Sequence, residues 1–174
     1  MNIDKILVAY SSRYGSTHEI AECIAEQLRE LQDGRVDLCE AGQVKDLPSY
    51  RAVVLGSAIY EGHWLDSARH LLTDHEEQLQ GKDLWLFSSG PVQEGSPAAI
   101  LGGWKLPENL EAVVGRLRPH DIKVFSGKFD ADRINLDDWC LQREMRLEHA
   151  DYRDWTAIGA WACEIAQTLM ATAG

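Results

Sequence analysis

"LVAYSSRYGSTHEIAECIAEQL", residues 7–28, runs from an apolar stretch into a helical pattern through a turn crowded with hydroxyls. The run "KILVAY" (5–10) is continuously apolar at its centre, as a strand buried on both faces is. Ile20, Ile24, Leu28 and Leu31 then recur on one face of a helix predicted over 17–32. Between the two lie Ser11, Ser12, Ser16 and Thr17 around Gly15. A helix cap needs one such hydroxyl, so four and a glycine ask for another reason. The start of a helix offers unpaired N–H groups and the positive end of its dipole, which together favour an anion. Gly15 lets the backbone wrap closely, Ser12, Ser16 and Thr17 bring donors, and Arg13 brings a positive charge. The turn reads as a phosphate site.

Outward from that turn the pattern keeps alternating. Strands are predicted at "RVDLCE" (35–40), "RAVVLGS" (51–57), "DLWLFSS" (83–89) and "IKVFSGKF" (122–129). A helix over 65–80 aligns Leu65, Ala68, Leu72 and Leu79, and a weaker one covers 107–118. A last helix over 155–170 sets Trp155, Ile158, Ala162, Ile165 and Leu169 on one face, with Asp154 as its N-cap. Alternating strands and helices predict an α/β fold, a doubly wound five-stranded parallel sheet with helices on both faces. "ILVA", "AVVL" and "LWLF" are wholly apolar and belong inside, whereas "VDLCE" and "IKVFSGKF" are mixed and belong at the edges. That division fits the strand order 2-1-3-4-5 in one domain over 1–174. In such sheets a ligand sits beyond the carboxyl ends of the strands where the order reverses. The loops that meet there are 11–17 and 57–64, with 88–97 beside them.

Composition narrows the classes. A chain of 174 residues, 45% hydrophobic and 26% charged, is the size and make-up of one globular domain. Its net charge of −11, from 28 acidic and 17 basic residues, repels phosphate backbones, so no nucleic-acid partner is expected. No apolar run approaches the ~18 residues of a membrane span, and no basic cluster suits anionic lipid, so no stable membrane association is expected. The first strand begins almost at once and leaves no room for a signal peptide, which predicts a cytoplasmic protein. Cys23, Cys39, Cys140 and Cys163 form no C-x-x-C pair and the histidines no H-x-x-x-H pair, so neither a disulfide framework nor a metal centre is expected.

The phosphate turn excludes several families. It has no G-x-x-x-x-G-K-[ST] and no G-x-G-x-x-G. Serines stand where a receiver domain carries its acidic residues, and no cysteine opens the loop as in small tyrosine phosphatases. Residues 12–17, Ser-Arg-Tyr-Gly-Ser-Thr, instead resemble the flavodoxin phosphate loop, [ST]-x-T-G-x-T, at Ser12, Gly15 and Thr17, with Tyr14 departing from it. "VVLGSAIYEGHW" (53–64), "WLFSSGPV" (85–92) and "YRDW" (152–155) extend the likeness. From Lys5 to about residue 170 the chain resembles the flavodoxin-domain branch that includes menaquinone-dependent protoporphyrinogen dehydrogenases.

That resemblance implies FMN and redox chemistry. It implies a phosphate held by Ser12, Arg13, Tyr14, Gly15, Ser16 and Thr17. It implies a flavin ring stacked by Tyr60 or Trp64, with Trp104 a third choice, and lined through backbone by Ser57, Ala58, Ile59 and Gly62. Ser88, Ser89, Gly90, Pro91 and Val92 would line its other side. His63 is the candidate catalytic residue, because an imidazole titrates where protons are exchanged. Glu61, in the place where flavodoxins commonly have glycine, predicts a turn that resists positive φ and favours the transfer of two electrons together. Segment 130–150 is read as a short helix packing Leu136, Trp139 and Leu147. The function expected is an oxidoreductase that passes electrons between FMN and a small organic molecule. The alternatives are an electron carrier docking on a redox protein partner and a flavin-binding or ligand-free interaction module without turnover.

Overall fold

The structure, a computed structural model, describes residues 5–32, 35–133 and 149–172. β1 (Lys5–Ser11) leads into α1 (Ser16–Leu31), β2 (Val36–Glu40) and the long central strand β3 (Tyr50–Tyr60). A two-residue strand, β4 (His63–Trp64), folds back on β3 before α2 (Asp66–Asp74) and α3 (Glu76–Leu79). Next come β5 (Asp83–Ser89), the short α4 (Pro97–Ile100), α5 (Glu108–Leu117) and β6 (Asp121–Phe125). The chain continues through β7 (Lys128–Asp130) and β8 (His149–Asp151) into α6 (Trp155–Thr172).

The main sheet runs β2-β1-β3-β5-β6, all parallel, with β4 attached to β3. Leaving out that two-residue strand, this is the predicted order. Period-two alternation distributes the interior strands between two cores. Ile6, Val8, Ala52, Val54, Trp85 and Phe87 face α1 and α6, where they meet Ile20, Ile24, Ile158 and Ile165. Leu7, Ala9, Val53, Leu55, Leu84 and Leu86 face the other way, onto Leu71 and Leu72 of α2 and Leu110 and Val114 of α5. β2 and β6 are the partly exposed edges, as their mixed sequences predict.

Four expectations are corrected. The helix predicted over 65–80 is two helices, α2 and α3, divided at His75 with φ −113. The strand predicted over 122–129 ends at Phe125, and β7 pairs antiparallel with β8 in a separate ribbon. The break falls at Gly127, whose N–H donates to Pro91 O at 2.9 Å and whose Cα passes so close to the loop after β5 that a Cβ there would lie 3.0 Å from Gly90 O. Leu31 (45%) and Trp155 (42%) are exposed, although helical periodicity aligns both with buried residues. Each stands at a helix terminus, where the neighbouring layer no longer covers the stripe. The Asp154 cap is present, its Oδ1 accepting from the Ala157 N–H at 2.9 Å. The predicted packing of Leu136, Trp139 and Leu147 lies outside the described residues, as does Cys140.

Among the described residues no helix is long and apolar enough to cross a membrane.

Candidate functional site

β1, β3 and β5 end together, and the loops leaving their carboxyl ends form the site. After β1 the chain turns through Ser12–Gly15, where Ser12 Oγ accepts the Gly15 N–H at 3.0 Å. Gly15, at φ 93, is the N-cap of α1, and no side chain caps this helix. The first N–H groups of α1 therefore have no acceptor within the helix and none from a capping side chain. Ser16 Oγ is turned the other way, accepting the Lys128 N–H at 3.1 Å. Thr17 is buried, at 1% exposure, beneath the turn. An uncapped helix start opening on a left-handed glycine is a donor set that fits a phosphate.

Two adjoining cavities lie over these ends. The narrow one, about 120 Å³, is walled by the turn (Ser12, Arg13, Tyr14, Ser16, Thr17) and by Ala58, Ile59, Tyr60, Ser89, Gly90 and Val92. Its remaining wall is Gly127–Asp130, which the sequence reading does not include. The wide one, about 430 Å³, is lined by Ile59, Gly62, Gly90, Pro91, Leu101 and Trp104. Ile59 and Gly90 border both. Gly90 is needed for that close approach, since a Cβ on it would stand 2.8 Å from Ile59 Cδ1. The narrow cavity leads from the hydroxyl-rich turn to Tyr60, Ser89 and Gly90, and the wide apolar one opens past Ile59 and Gly90. That order suits a flavin nucleotide with its phosphate at the turn and one edge of its flat ring at the mouth of the wide cavity.

Tyr60 is half-buried at the junction. The Arg13 guanidinium lies 4.2 Å from its ring centroid, and Tyr14 meets it edge-on at 6.4 Å. Trp64, predicted as a possible stacking residue, does not line either cavity. It is buried at 4% exposure in the second core, and its indole N–H donates to Ser88 Oγ at 2.8 Å. Ser57 is likewise removed from the surface, accepting the Leu65 N–H at 2.9 Å and donating to Ala58 O at 2.8 Å. Ser57, Trp64 and Ser88 thus form a buried polar support that ties β3, β4, β5 and the start of α2 together beneath the cavities. A loop tryptophan has two readings in sequence, and a serine in reach of its indole selects the buried one.

The hairpin between β3 and β4 overturns another expectation. Glu61 has φ 51 and Gly62 φ 78, so the turn already holds two residues in the left-handed region. A two-residue hairpin needs that geometry to match strand twist. The Cβ of Glu61 does not keep the turn out of positive φ, because the pairing of Tyr60 with His63 imposes it. His63, the candidate proton donor, is exposed on β4 at the tip of this hairpin.

Charge enters from the ribbon and from Arg153. Its side chain is only 3% exposed, yet it meets partners on two elements. Nη1 donates to Glu19 Oε2 at 2.6 Å and to Ser16 O at 3.5 Å, while Nε and Nη2 grip both Asp151 oxygens at 2.8 and 2.7 Å. These hydrogen bonds hold the Asp151 carboxyl below its ordinary range. Sequence reasoning gives Arg153 no role, because its partners are 134 and 2 residues away.

Comparison with known proteins agrees with this geometry. The family described as flavodoxin domain matches residues 7–154. Protoporphyrinogen IX dehydrogenase [quinone] from Escherichia coli (strain K12) is 24% identical over 177 residues, covering 93% of this chain and 94% of that protein. A flavodoxin from the domain Archaea superposes with TM-score 0.63 at 16% identity, over 95% of this chain and 99% of that one. Oxidised flavodoxin 2 from Bacillus cereus gives TM-score 0.60 at 22% identity, over 94% of this chain and 99% of that one. With its phosphate turn, its strand order and the match over residues 7–154, the chain belongs to the flavodoxin-domain family, as a flavodoxin-like redox protein whose cofactor is FMN.

Proposed function

We propose that this chain, as a single domain over 1–174, is an FMN-dependent oxidoreductase that passes electrons between FMN and a small organic molecule in the cytoplasm. FMN, when bound, supplies electron or hydride transfer at its ring. The observation that carries the reading is the wide cavity, whose six lining residues include no charged side chain. Such a chamber suits an uncharged planar organic partner better than a charged one, because a buried ion needs a counter-charge. The E. coli relative, a dehydrogenase by name, supports the same class.

The turn Ser12–Thr17 holds the phosphate through backbone N–H groups and hydroxyls. Tyr60, with Ile59 and Ala58, forms one wall for the ring; Ser89, Gly90, Pro91 and Val92 form another, and Trp104 with Leu101 closes the wide end. Gly62 leaves the hairpin tip open beside it, and His63 there exchanges protons with the substrate.

Calorimetric titration with FMN and riboflavin tests the phosphate assignment. Gly15→Val adds about 1–2 kcal/mol of left-handed strain and a side chain where the phosphate must approach. It is expected to lower FMN affinity more than tenfold and to leave riboflavin binding nearly unchanged. Thr17→Ala removes a hydrogen bond to a charged group worth roughly 1.5–3 kcal/mol. Equal affinity of the unaltered protein for FMN and riboflavin would refute the assignment.

The second reading, an electron carrier, draws on the net charge of −11, which would steer a basic redox protein. Stopped-flow oxidation of the reduced, FMN-loaded protein separates the two. The oxidoreductase reading expects fast oxidation by uncharged quinones, insensitive to salt. Slow oxidation by quinones with fast, salt-sensitive oxidation by cytochrome c moves the assignment to the carrier.

A further inference from the structure

Four residues of the narrow cavity, Gly127–Asp130, come from the chain that leaves β6 and from the ribbon strand β7. They face the phosphate turn across the cleft. The backbone of Lys128 is bonded directly to that turn, its amide N–H donating to Ser16 Oγ at 3.1 Å, and the residue lines the cleft. Arg133, just beyond β7, reaches the same turn from above. A Cβ built on Gly15 would lie 3.7 Å from Arg133 Nη1, so the guanidinium rests over the one residue of the turn that has no side chain.

A phosphate monoester carries close to two negative charges at neutral pH, as phosphorylated side chains do. The protein around it has a net charge of −11. The helix dipole supplies only about half a positive charge at the start of α1. Arg13 adds one positive charge from the turn itself, and the chain across the cleft adds two more, Lys128 and Arg133, set among the carboxylates of Asp130, Asp132 and Asp151. Asp130 also lines the cleft, but its carboxylate is engaged by Arg133 Nε at 3.6 Å and by His149 Nδ1 at 3.1 Å. The ribbon is held in register by Lys128↔Asp151, Phe129↔Ala150 and Asp130↔His149, and Arg153 fastens Asp151 to Glu19 in the first turn of α1. Lys128 is therefore carried on a pinned strand, and Arg133 stands three residues beyond the end of that strand.

We infer that Lys128 and Arg133 hold the FMN phosphate from the side opposite the turn, and that this second, cationic wall makes binding specific for the phosphorylated flavin. The inference rests on the assignment of the phosphate to residues 12–17. Arg133 is exposed enough (58%) to swing onto a ligand oxygen and to be replaced without disturbing the core.

The test titrates FMN and riboflavin into the full chain and into Arg133→Gln, Lys128→Gln and the double variant, at low and high salt. The double variant is expected to lose FMN affinity by about tenfold or more, as loss of charge-assisted hydrogen bonds predicts. Riboflavin affinity is expected to stay within about twofold, and the salt dependence of FMN binding to flatten. Arg133→Lys, which keeps the charge, is expected to recover part of the preference. If the unaltered protein prefers FMN but the variants keep the same FMN-to-riboflavin ratio and salt dependence, the cationic wall is refuted while the turn assignment stands. If the variants lose riboflavin as much as FMN, the residues shape the cleft rather than read the phosphate, which also refutes it. If the unaltered protein binds both flavins alike, the turn assignment itself fails.

Discussion

Gly56→Val is expected to lower the unfolding free energy by about 3 kcal/mol or more, at or above the upper end of the usual range for overpacked cores. Gly56 pairs with Phe87 across the two central strands, and the phenyl ring lies over its Cα. A Cβ there would come within 2.0 Å of Phe87 Cζ and 2.2 Å of Cε1. The ring has nowhere to go. It is fully buried, with Phe125 at 5.9 Å and Trp161 at 6.0 Å between ring centroids. Against a typical domain stability of about 5–15 kcal/mol, such a loss is large. Urea denaturation measures it, and Phe87→Leu in the Gly56→Val background is expected to recover part of it, because contacting sites do not add. A midpoint unchanged by Gly56→Ala would mean that the ring is not fixed as described.

Arg153→Met is expected to cost about 2–3 kcal/mol at pH 7. Breaking one partner of a buried ion pair typically costs about 3–5 kcal/mol, and the partial exposure of Glu19 (37%) and Asp151 (40%) lowers that range here. The loss has a pH signature. Asp151 has a folded-state pKa depressed by Arg153, so its stabilisation is present above the unfolded value of about 3.9 and fades as pH falls through the folded one. The unaltered protein is expected to lose stability as acid is added below about pH 4, and the variant to lose less over that same interval. Arg153→Lys keeps the charge but not the two-pronged grip on Asp151, and is expected to fall between them. Equal acid sensitivity in all three proteins would show that Asp151 gains nothing from Arg153.

The sheet was legible because its information is local. "ILVA", "AVVL" and "LWLF" state by composition alone that three strands are covered on both faces, a division that the order 2-1-3-4-5 fits without being dictated by it. The phosphate turn was legible for the same reason, since strand, glycine, hydroxyls and helix start stand within a dozen residues. The features that escaped are held by distant partners. Trp64 belongs to the core because Ser88, 24 residues on, accepts from its indole. Lys128 and Arg133 reach the cleft because β7 leaves the sheet and pairs with β8, and nothing within "SGKFDADR" marks that departure except Gly127. The intrinsic preference of Glu61 is against positive φ, and hairpin pairing overrides it. Trp155 has the right helical phase, but phase does not tell where a layer ends.

The packing of α6 against α1 also has a consequence in time. One face of the sheet is covered by these two helices, which are drawn from opposite ends of the described chain. A ribosome releasing this protein finishes β1, β3, β5 and β6 before it makes residue 155. Until α6 emerges, Phe87, Phe125 and the α6-facing side of α1 lack the cover that α6 gives them, although the opposite face already has α2, α3 and α5. The nascent chain is thus a half-clad sheet, a species prone to aggregate and a ready client for a chaperone, until synthesis passes Trp161 and Ile165.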